Sequence, residues 1–522
     1  MPEISLRIGD LQECNNEQIH LSGAVQGHGA LMMFSADERI QAISKNVAAV
    51  LDLGQRNILG AKLSHVLPEE FVQNILALQK QHPWRSKGMY LTTPIGKSKF
   101  DVYMFSSGNY FGLEFEPLRE SAEFFESQNV LQDFMAEVKE ARTVVDLTSV
   151  ACRYIRQVAG IDRVMMYRFL PPSWHGEVIA EDRVMGSHSF LYHRFPSSDI
   201  PKPARDLYLR NKVRLITDSQ GHISAIEPKE NPETGKVWDL SDSRLRSVSP
   251  IHIEYLKNMG VAGSMSFAVI VKGSLWGLIA CHSSKPFTMT NAHRAICCAI
   301  ADVVSSQATL MEDLEGHLLR SSFDARLRKI IEMTLISKDI LGGLLKQHAL
   351  LMETFNATGV AICNAQTQDI SGLVPAGSLL KDLYAKIIDE MKKTEKEVFA
   401  INSLTTIMPD IASKLKMACG VLAVRIHDKE DSLLMIFRPE QVRMITWGGD
   451  PVKSLEKKNF SGQINPRASF ESWQEKIENQ SIPWSSHELD GVSFMKEVLF
   501  DSALVKKGAI DMLTESLKGR PS

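Results

Sequence analysis

Hydrophobic and polar positions change period along the chain, and the changes mark out three mixed blocks. From Gly23 to about Phe115 short apolar runs predict strands over residues 30–34, 89–93, 100–105 and 110–115, with a helix over 68–81. Residues 119–142 predict a helix entering a second block. There strands fall at 163–169, 177–181, 263–271 and 275–282, and helices at 200–211 and 251–259. A third block spans about 337–490, with strands at 359–364, 421–427 and 432–439. The fold class is α+β, with helices flanking sheets in each block.

Between the second and third blocks the period is helical and unbroken by proline. Ile296, Ile300, Val303, Gln307, Leu310, Leu314 and Leu318 recur at spacings of three and four. One helix over residues 293–336 would be about 44 residues, or roughly 66 Å, long. That length predicts an inter-domain spine or a dimer seam. Two helices broken at Gly316 are the alternative, although glycine costs only ~1 kcal/mol in a helix interior. Near the C-terminus Met495, Val498, Val505, Ala509, Met512, Leu513 and Leu517 form a second apolar stripe, still open at the end of the sequence. Residues 447–490 form a long polar excursion, and Trp447, Trp473 and Trp484 argue against disorder in it.

Composition narrows the function classes. At 522 residues the chain exceeds one core. A net charge of −3 and 23% charged residues give no reason to expect nucleic acid as a partner. No apolar run approaches the ~20 residues of a membrane span, and no leader is apparent. Seven scattered cysteines form neither a disulfide framework nor a zinc pattern, so no metal and a reducing cytoplasm are expected. Five of them sit among apolar neighbours, whereas Cys14 lies in a polar N-terminal arm. The phosphate-loop, nucleophile-elbow, zinc-protease and dinucleotide motifs are missing.

The chemistry-bearing residues concentrate in the second block. His193-Arg194-Phe195-Pro196-Ser197-Ser198-Asp199-Ile200-Pro201 holds an acid in a turn stiffened by two prolines. An ordinary helix entry, with Asp199 as N-cap and Pro201 at the first helical position, is its simplest reading. Downstream, Arg214 follows Tyr208; Arg246, Ser249, His252 and Tyr255 are spaced by three; Ser264 and Ser266 face one way along a strand that His282 follows on the next. Arginines, serines and histidines together suit a ligand carrying more than one carboxylate. Tyr167, Phe190, Phe195 and Tyr255 suit a flat conjugated body. Each residue taken singly also fits an ion pair or core packing.

Three motifs, in order along the chain, carry a resemblance. Cys14-Asn15-Asn16-Glu17-Gln18-Ile19-His20 with Gly23-Ala24-Val25-Gln26-Gly27-His28-Gly29 resembles the N-terminal signature of bacterial phytochromes. Phe195–Pro201 resembles that family's hallmark turn. Trp447-Gly448-Gly449 and Pro466-Arg467-Ala468-Ser469-Phe470, followed by Trp473-Gln474-Glu475, are similar to the entry and body of its "tongue". The resemblance covers essentially the whole chain. It implies an arm over residues 1–20, a PAS domain at 21–118, a GAF domain at 119–310, a PHY domain at 311–500 with a tongue at about 442–490, and the start of an output helix at 501–522. It also implies a figure-of-eight knot and biliverdin joined by a thioether to Cys14.

The resemblance further implies roles. Asp199 and Ile200 would lie by the pyrrole nitrogens. Arg214 and Arg246 would hold one propionate, and Ser249, His252, Ser264, Ser266 and Tyr208 the neighbouring bilin region. His282 would bond the outermost ring, within walls of Tyr167, Phe190, Phe195, Tyr255 and Met259. In the tongue, Arg467 would pair with Asp199, with Ser469 as competitor, and Pro466, Phe470, Trp473 and Glu475 would take part in a hairpin-to-helix change. The expected protein is a red/far-red photoreceptor with no catalytic activity in these residues. It is expected to be a parallel homodimer through the spine and terminal helix, continuing in cis into a histidine kinase or diguanylate cyclase. A thiol-dependent enzyme and a small-molecule sensor without covalent chromophore are the rival classes. Ser22 and Gly27 stand where the family usually has proline, and Ser197 where alanine is common; the first two predict a looser arm.

Overall fold

The computed structural model describes residues 17–55, 57–81, 88–118, 124–337, 339–375, 377–409, 416–427, 431–451 and 469–500. Cys14, Pro466, Arg467 and the predicted output helix at 501–522 lie outside them. The chain divides into two compact units. One runs to Glu312 and takes in Thr446–Gln474; the other comprises Asp313–Ile445 and the residues from Glu475 onward.

In the first unit, strands β1 (Ala24–Gln26), β2 (Ala30–Ser35), β3 (Ile40–Ser44), β4 (Met89–Ile95), β5 (Ser98–Ser107) and β6 (Tyr110–Pro117) form most of a seven-stranded sheet, with helix α1 at Glu69–Gln81. Its seventh strand, β11 (Ile223–Glu227), arrives from the second block, giving the order β1-β11-β3-β2-β6-β5-β4. The chain from His20 to Gly27 is bonded on both sides by that block's long loop. Gly27 N donates to His222 O and Ile226 N to Gly23 O on one side; Leu240 N donates to His20 O, Ser247 N to Ala24 O and Gln26 N to Leu245 O on the other. A segment enclosed in this way is what the predicted knot requires. At both departures from proline the chain is hydrogen-bonded. Gly27 N–H makes a 2.8 Å bond that proline lacks the donor for. A Cβ there would lie 2.7 Å from His222 O. Ser22 Oγ donates to Ala24 O.

The second sheet contains β7 (Arg163–Leu170), β8 (His175–Arg183), β9 (His193–Phe195), β10 (Val213–Ile216), β12 (Gly263–Val271) and β13 (Ser274–Ser283), in the order β10-β12-β13-β7-β8-β9. Strand alternation gives it two different faces. Val164, Met166, Met265, Phe267, Val269, Ile279 and Cys281 pack into a helical core with α2 (Phe124–Val138) and α3 (Val144–Ala159). The helix α3 escaped the sequence reading although Thr143 and Asp146 form a capping box at its start and Gly160 closes it in the left-handed region. The opposite face turns toward α4 (Lys202–Arg210) and α5 (Pro250–Asn258). The former begins later than predicted: Ser197–Asp199 is a separate 3-10 turn and Pro201, not Asp199, is the N-cap.

The predicted spine is one helix, α6 (Asn291–Leu335), continuous through Gly316. Cys297, Ile300, Ala301, Val304 and Ala308 enter the first unit's core; Phe323, Leu327, Ile330 and Ile331 enter the second's. By length and composition, with a window of mean hydropathy 1.2, it is the one helix among the described residues that could cross a membrane, yet those residues face protein cores. Leu310, Leu314 and Leu318 stay 62% exposed.

The second unit holds β14 (Gly359–Cys363), β15 (Gln368–Gly372), β16 (Val398–Ile401), β17 (Gly420–His427) and β18 (Ser432–Arg438), in the order β15-β14-β18-β17-β16. Val360, Leu422, Val424, Leu434 and Ile436 face a core shared with α6 and α8 (Ser486–Phe500). Their alternates Ala361, Val421, Ala423, Leu433 and Met435 face α7 (Ser378–Thr394). Strands β19 (Arg443–Gly448) and β20 (Ser472–Ile477) lie within the predicted tongue at about 442–490.

Candidate functional site

The second face of the second sheet lines a cavity of about 240 Å³. Register explains its composition. Across β10, β12 and β13, Arg214 lies opposite Ser266 and Ser266 opposite Ala280; one row on, Ile216 faces Ser264 and Ser264 faces His282. Tyr167 on β7 is opposite Leu278. The remaining wall comes from the end of β9, the 196–201 turn, α4, the loop before α5 and α5 itself, which bring Phe195, Asp199, Ile200, Tyr208, Arg246, Ser249, His252, Tyr255 and Met259 to the same space. Fourteen of the fifteen predicted pocket residues therefore line one cavity. The fifteenth, Phe190, stands behind the wall: its ring is 5.8 Å from that of Phe195 and lies under the Arg163 guanidinium at 4.5 Å. Its aromatic character misled because packing a cavity wall and forming it call for the same side chain.

The turn is held from several directions. Ser197 N donates to His175 Nδ1 at 3.2 Å, Tyr255 OH donates to Asp199 Oδ2 at 3.2 Å, and Arg205 Nη1 donates to Ile200 O at 2.6 Å. Tyr208 OH and Ser266 Oγ bond at 2.6 Å. Both cavity guanidiniums are oriented by main-chain carbonyls. Arg214 donates to the carbonyls of Arg244, Arg246 and Ser247, and Arg246 to those of Leu240 and Ser241.

Electrostatics divide the cavity. Burial, with Arg246 nearby, brings Arg214 down to about 9, and burial also lowers Arg246. Two buried cations without a carboxylate among the bonds just given favour an anionic ligand. Burial, helped by Arg214, also holds His252 at about 4, and burial, helped by Arg163 and His252, holds His282 at about 3. Both imidazoles are neutral near pH 7. His282 Nδ1 and Ser249 Oγ are buried with no hydrogen-bond partner among the described residues. Since such groups cost ~1–3 kcal/mol unpaired, they mark where a polar ligand fits.

Comparison with known proteins agrees with this geometry. Residues 14–118 match the PAS fold, 144–308 the GAF domain and 324–507 the phytochrome region. The chain is 33% identical over 521 residues to a bacteriophytochrome of Pseudomonas aeruginosa, covering 97% of this chain and 68% of that one. It is 31% identical over 516 residues to cyanobacterial phytochrome B of Nostoc, covering 98% and 68%. The chain belongs to the phytochromes. A crystal structure of a bacteriophytochrome from the photosynthetic bacterium R. palustris superposes with a TM-score of 0.78 at 31% identity, covering 95% of this chain and all of that one. The photosensory core module of the Stigmatella aurantiaca phytochrome gives 0.78 at 30% identity, covering 94% and 98%. These are photoreceptor modules with the same PAS-GAF-PHY order.

In this phytochrome the tongue's described ends meet the GAF sheet. Thr446 and Trp447 pair in parallel with His193 and Arg194. A Cβ on Gly448 would lie 2.5 Å from the Phe195 ring, so glycine permits the close approach. His193 Nε2 bonds Ser472 Oγ at 2.7 Å, and Phe470 meets Tyr255 edge-on at 5.0 Å. Ser469 is exposed, while Trp473 and Glu475 are half-buried on β20. Sequence reading missed Leu207, Val213, Leu278 and Ala280 on the cavity wall. Only their place on alternating strands and one helix face could have found them. It also missed the His193–Ser472 contact, which no local pattern signals.

Proposed function

We propose that this phytochrome is a red/far-red photoreceptor module that holds biliverdin in the GAF cavity, joined by a thioether to Cys14. The observation carrying this reading is one cavity that combines two inward guanidiniums, an aromatic wall and the unpartnered His282 Nδ1 and Ser249 Oγ. That donor set suits a conjugated body with two carboxylates and a terminal carbonyl. Arg214 and Arg246 would hold one propionate. His252, Ser249, Ser264, Ser266 and Tyr208 would serve the neighbouring region, and His282 would donate to the outer carbonyl. Asp199 and Ile200 would face the pyrrole nitrogens, with Tyr167, Phe195, Tyr255 and Met259 bounding the outer ring. Biliverdin, when bound, supplies visible absorption and a double bond that isomerises in light.

The protein's part is to answer that change. Asp199 is anchored by Tyr255, and Arg467 would pair with it in one state and leave it in the other, with Ser469 as competitor. The tongue, with Pro466, Phe470, Trp473 and Glu475, would alternate between the strand form and a helix, and the change would pass to α6 and to the terminal helix. We further propose a parallel homodimer seamed by Leu310, Leu314 and Leu318, which an isolated chain leaves exposed. The proposed module, cytoplasmic and itself without catalytic activity, regulates a histidine kinase or diguanylate cyclase in cis.

The test is a visible spectrum of the protein mixed with biliverdin, before and after red light, for parent and Cys14→Ser. A red band that photoconverts in the parent, with denaturation-resistant pigment lost in the variant, is expected. A colourless parent would overturn the reading in favour of a ligand sensor.

A further inference from the structure

The 240–247 loop orients both cavity arginines through its carbonyls, and its own N–H groups converge on a single carboxylate. Glu114, on β6 of the PAS sheet, is fully buried, as is Ser243. Glu114 Oε2 accepts from Arg244 N at 3.0 Å; Oε1 accepts from Leu245 N at 3.1 Å and from Ser243 Oγ. Ser243 Oγ in turn accepts from Arg246 N at 2.8 Å. Arg244, Arg246 and Ser247 supply the carbonyls that hold Arg214; Leu240 and Ser241 supply those that hold Arg246. One PAS side chain thus fixes the loop that aims the guanidiniums of a site in the next domain.

We propose that Glu114 is a positioning residue for the bilin site, setting Arg214 and Arg246 for a propionate through the 240–247 loop. The inference rests on the bilin reading. A carboxyl group suits the place because three donors point at its two oxygens, and each of these donors would otherwise be left without an acceptor. Glutamine would set an amide N–H against at least one of those donors. The charged and titratable groups that face Glu114 are Glu116 on its own strand, Tyr103 on β5, and Arg214 and Arg246 beyond the loop. Burial pushes Glu114 up to about 7, Glu116 adding to the effect and the three hydrogen bonds opposing it.

A merely structural clamp between PAS and GAF would affect every ligand alike; a positioning residue affects only ligands with free propionates. The 522-residue chain carrying Cys14→Ser, so that binding is reversible, is titrated as such and with Glu114→Gln or Ser243→Ala added, using biliverdin and biliverdin dimethyl ester, whose propionates carry no charge. Both variants are expected to bind biliverdin about tenfold more weakly than the parent, the scale of one buried hydrogen bond lost, and the ester within about twofold of it. Equal losses for both pigments, or no loss for biliverdin, would overturn the proposal. A parent that takes up neither pigment would overturn it together with the bilin reading, whereas a parent that binds and variants that match it would overturn the positioning role alone.

Discussion

In one part of the cavity Arg214 and Arg246 direct their donors at loop carbonyls, and the loop answers to a carboxylate outside the cavity. Elsewhere in the cavity His282 Nδ1, on β13, and Ser249 Oγ, at the start of α5, are buried with no partner among the described residues. The first is a pair of cations whose orientation the protein's own carbonyls fix. The second is a set of neutral groups whose bonds a ligand completes. Preorganised charge provides affinity, because the pair's geometry is already paid for in folding. Incomplete hydrogen bonding allows exchange, because no strong protein contact has to break first.

The two sets should respond to pH in opposite senses. Glu114 rises from 4.5 to about 7 on folding, so its contribution to stability is full below pH 4.5 and lost as pH rises toward 7. His282 falls from 6.5 to about 3 and His252 to about 4, so theirs is full above pH 6.5 and lost as pH falls toward those values. In urea denaturation of pigment-free protein, the parent should lose on the order of 3 kcal/mol relative to Glu114→Gln between pH 4.5 and 7. His282→Asn should diverge from the parent only on the acid side. Parallel curves for parent and Glu114→Gln would break the comparison at its strongest point.

A smaller effect separates the sets by ligand affinity. Arg214→Ala should weaken biliverdin binding by about thirtyfold, or ~2 kcal/mol, through loss of a charge-assisted contact. His282→Ala should change it by less than about fivefold, since a neutral hydrogen bond nets only ~1 kcal/mol. It should instead alter the rate at which the photoproduct relaxes in darkness, followed by absorbance. If the histidine variant lost more affinity than the arginine variant, the division between oriented cations and exchangeable groups would be wrong.

How far each set could be read from sequence follows from how its residues are spaced. Ser264, Ser266 and His282 sit on adjacent strands, and Arg246, Ser249, His252 and Tyr255 on one turn and helix, so period alone grouped them. The same logic located the long helix and most strands of all three sheets. Glu114 stayed hidden because its partners lie about 130 positions away across the knot, and no local pattern encodes a loop docked on another domain's sheet. Strand β11 was missed for the same reason: it belongs by sequence to one block and by hydrogen bonding to another. Phe190 shows the converse error, a right residue type placed one layer too near the cavity.

Ser249→Ala carries the smallest effect and the sharpest sign. The hydroxyl is buried without a partner among the described residues, so pigment-free protein should be unchanged or slightly stabilised by its removal, by less than ~1 kcal/mol. In the pigment-loaded protein the same hydroxyl would have a partner, and its removal should cost ~0.5–1.5 kcal/mol of binding. Thermal melts with and without biliverdin therefore ought to move in opposite directions for one substitution. A variant destabilised equally in both states would mean that Ser249 serves the start of α5 rather than the ligand.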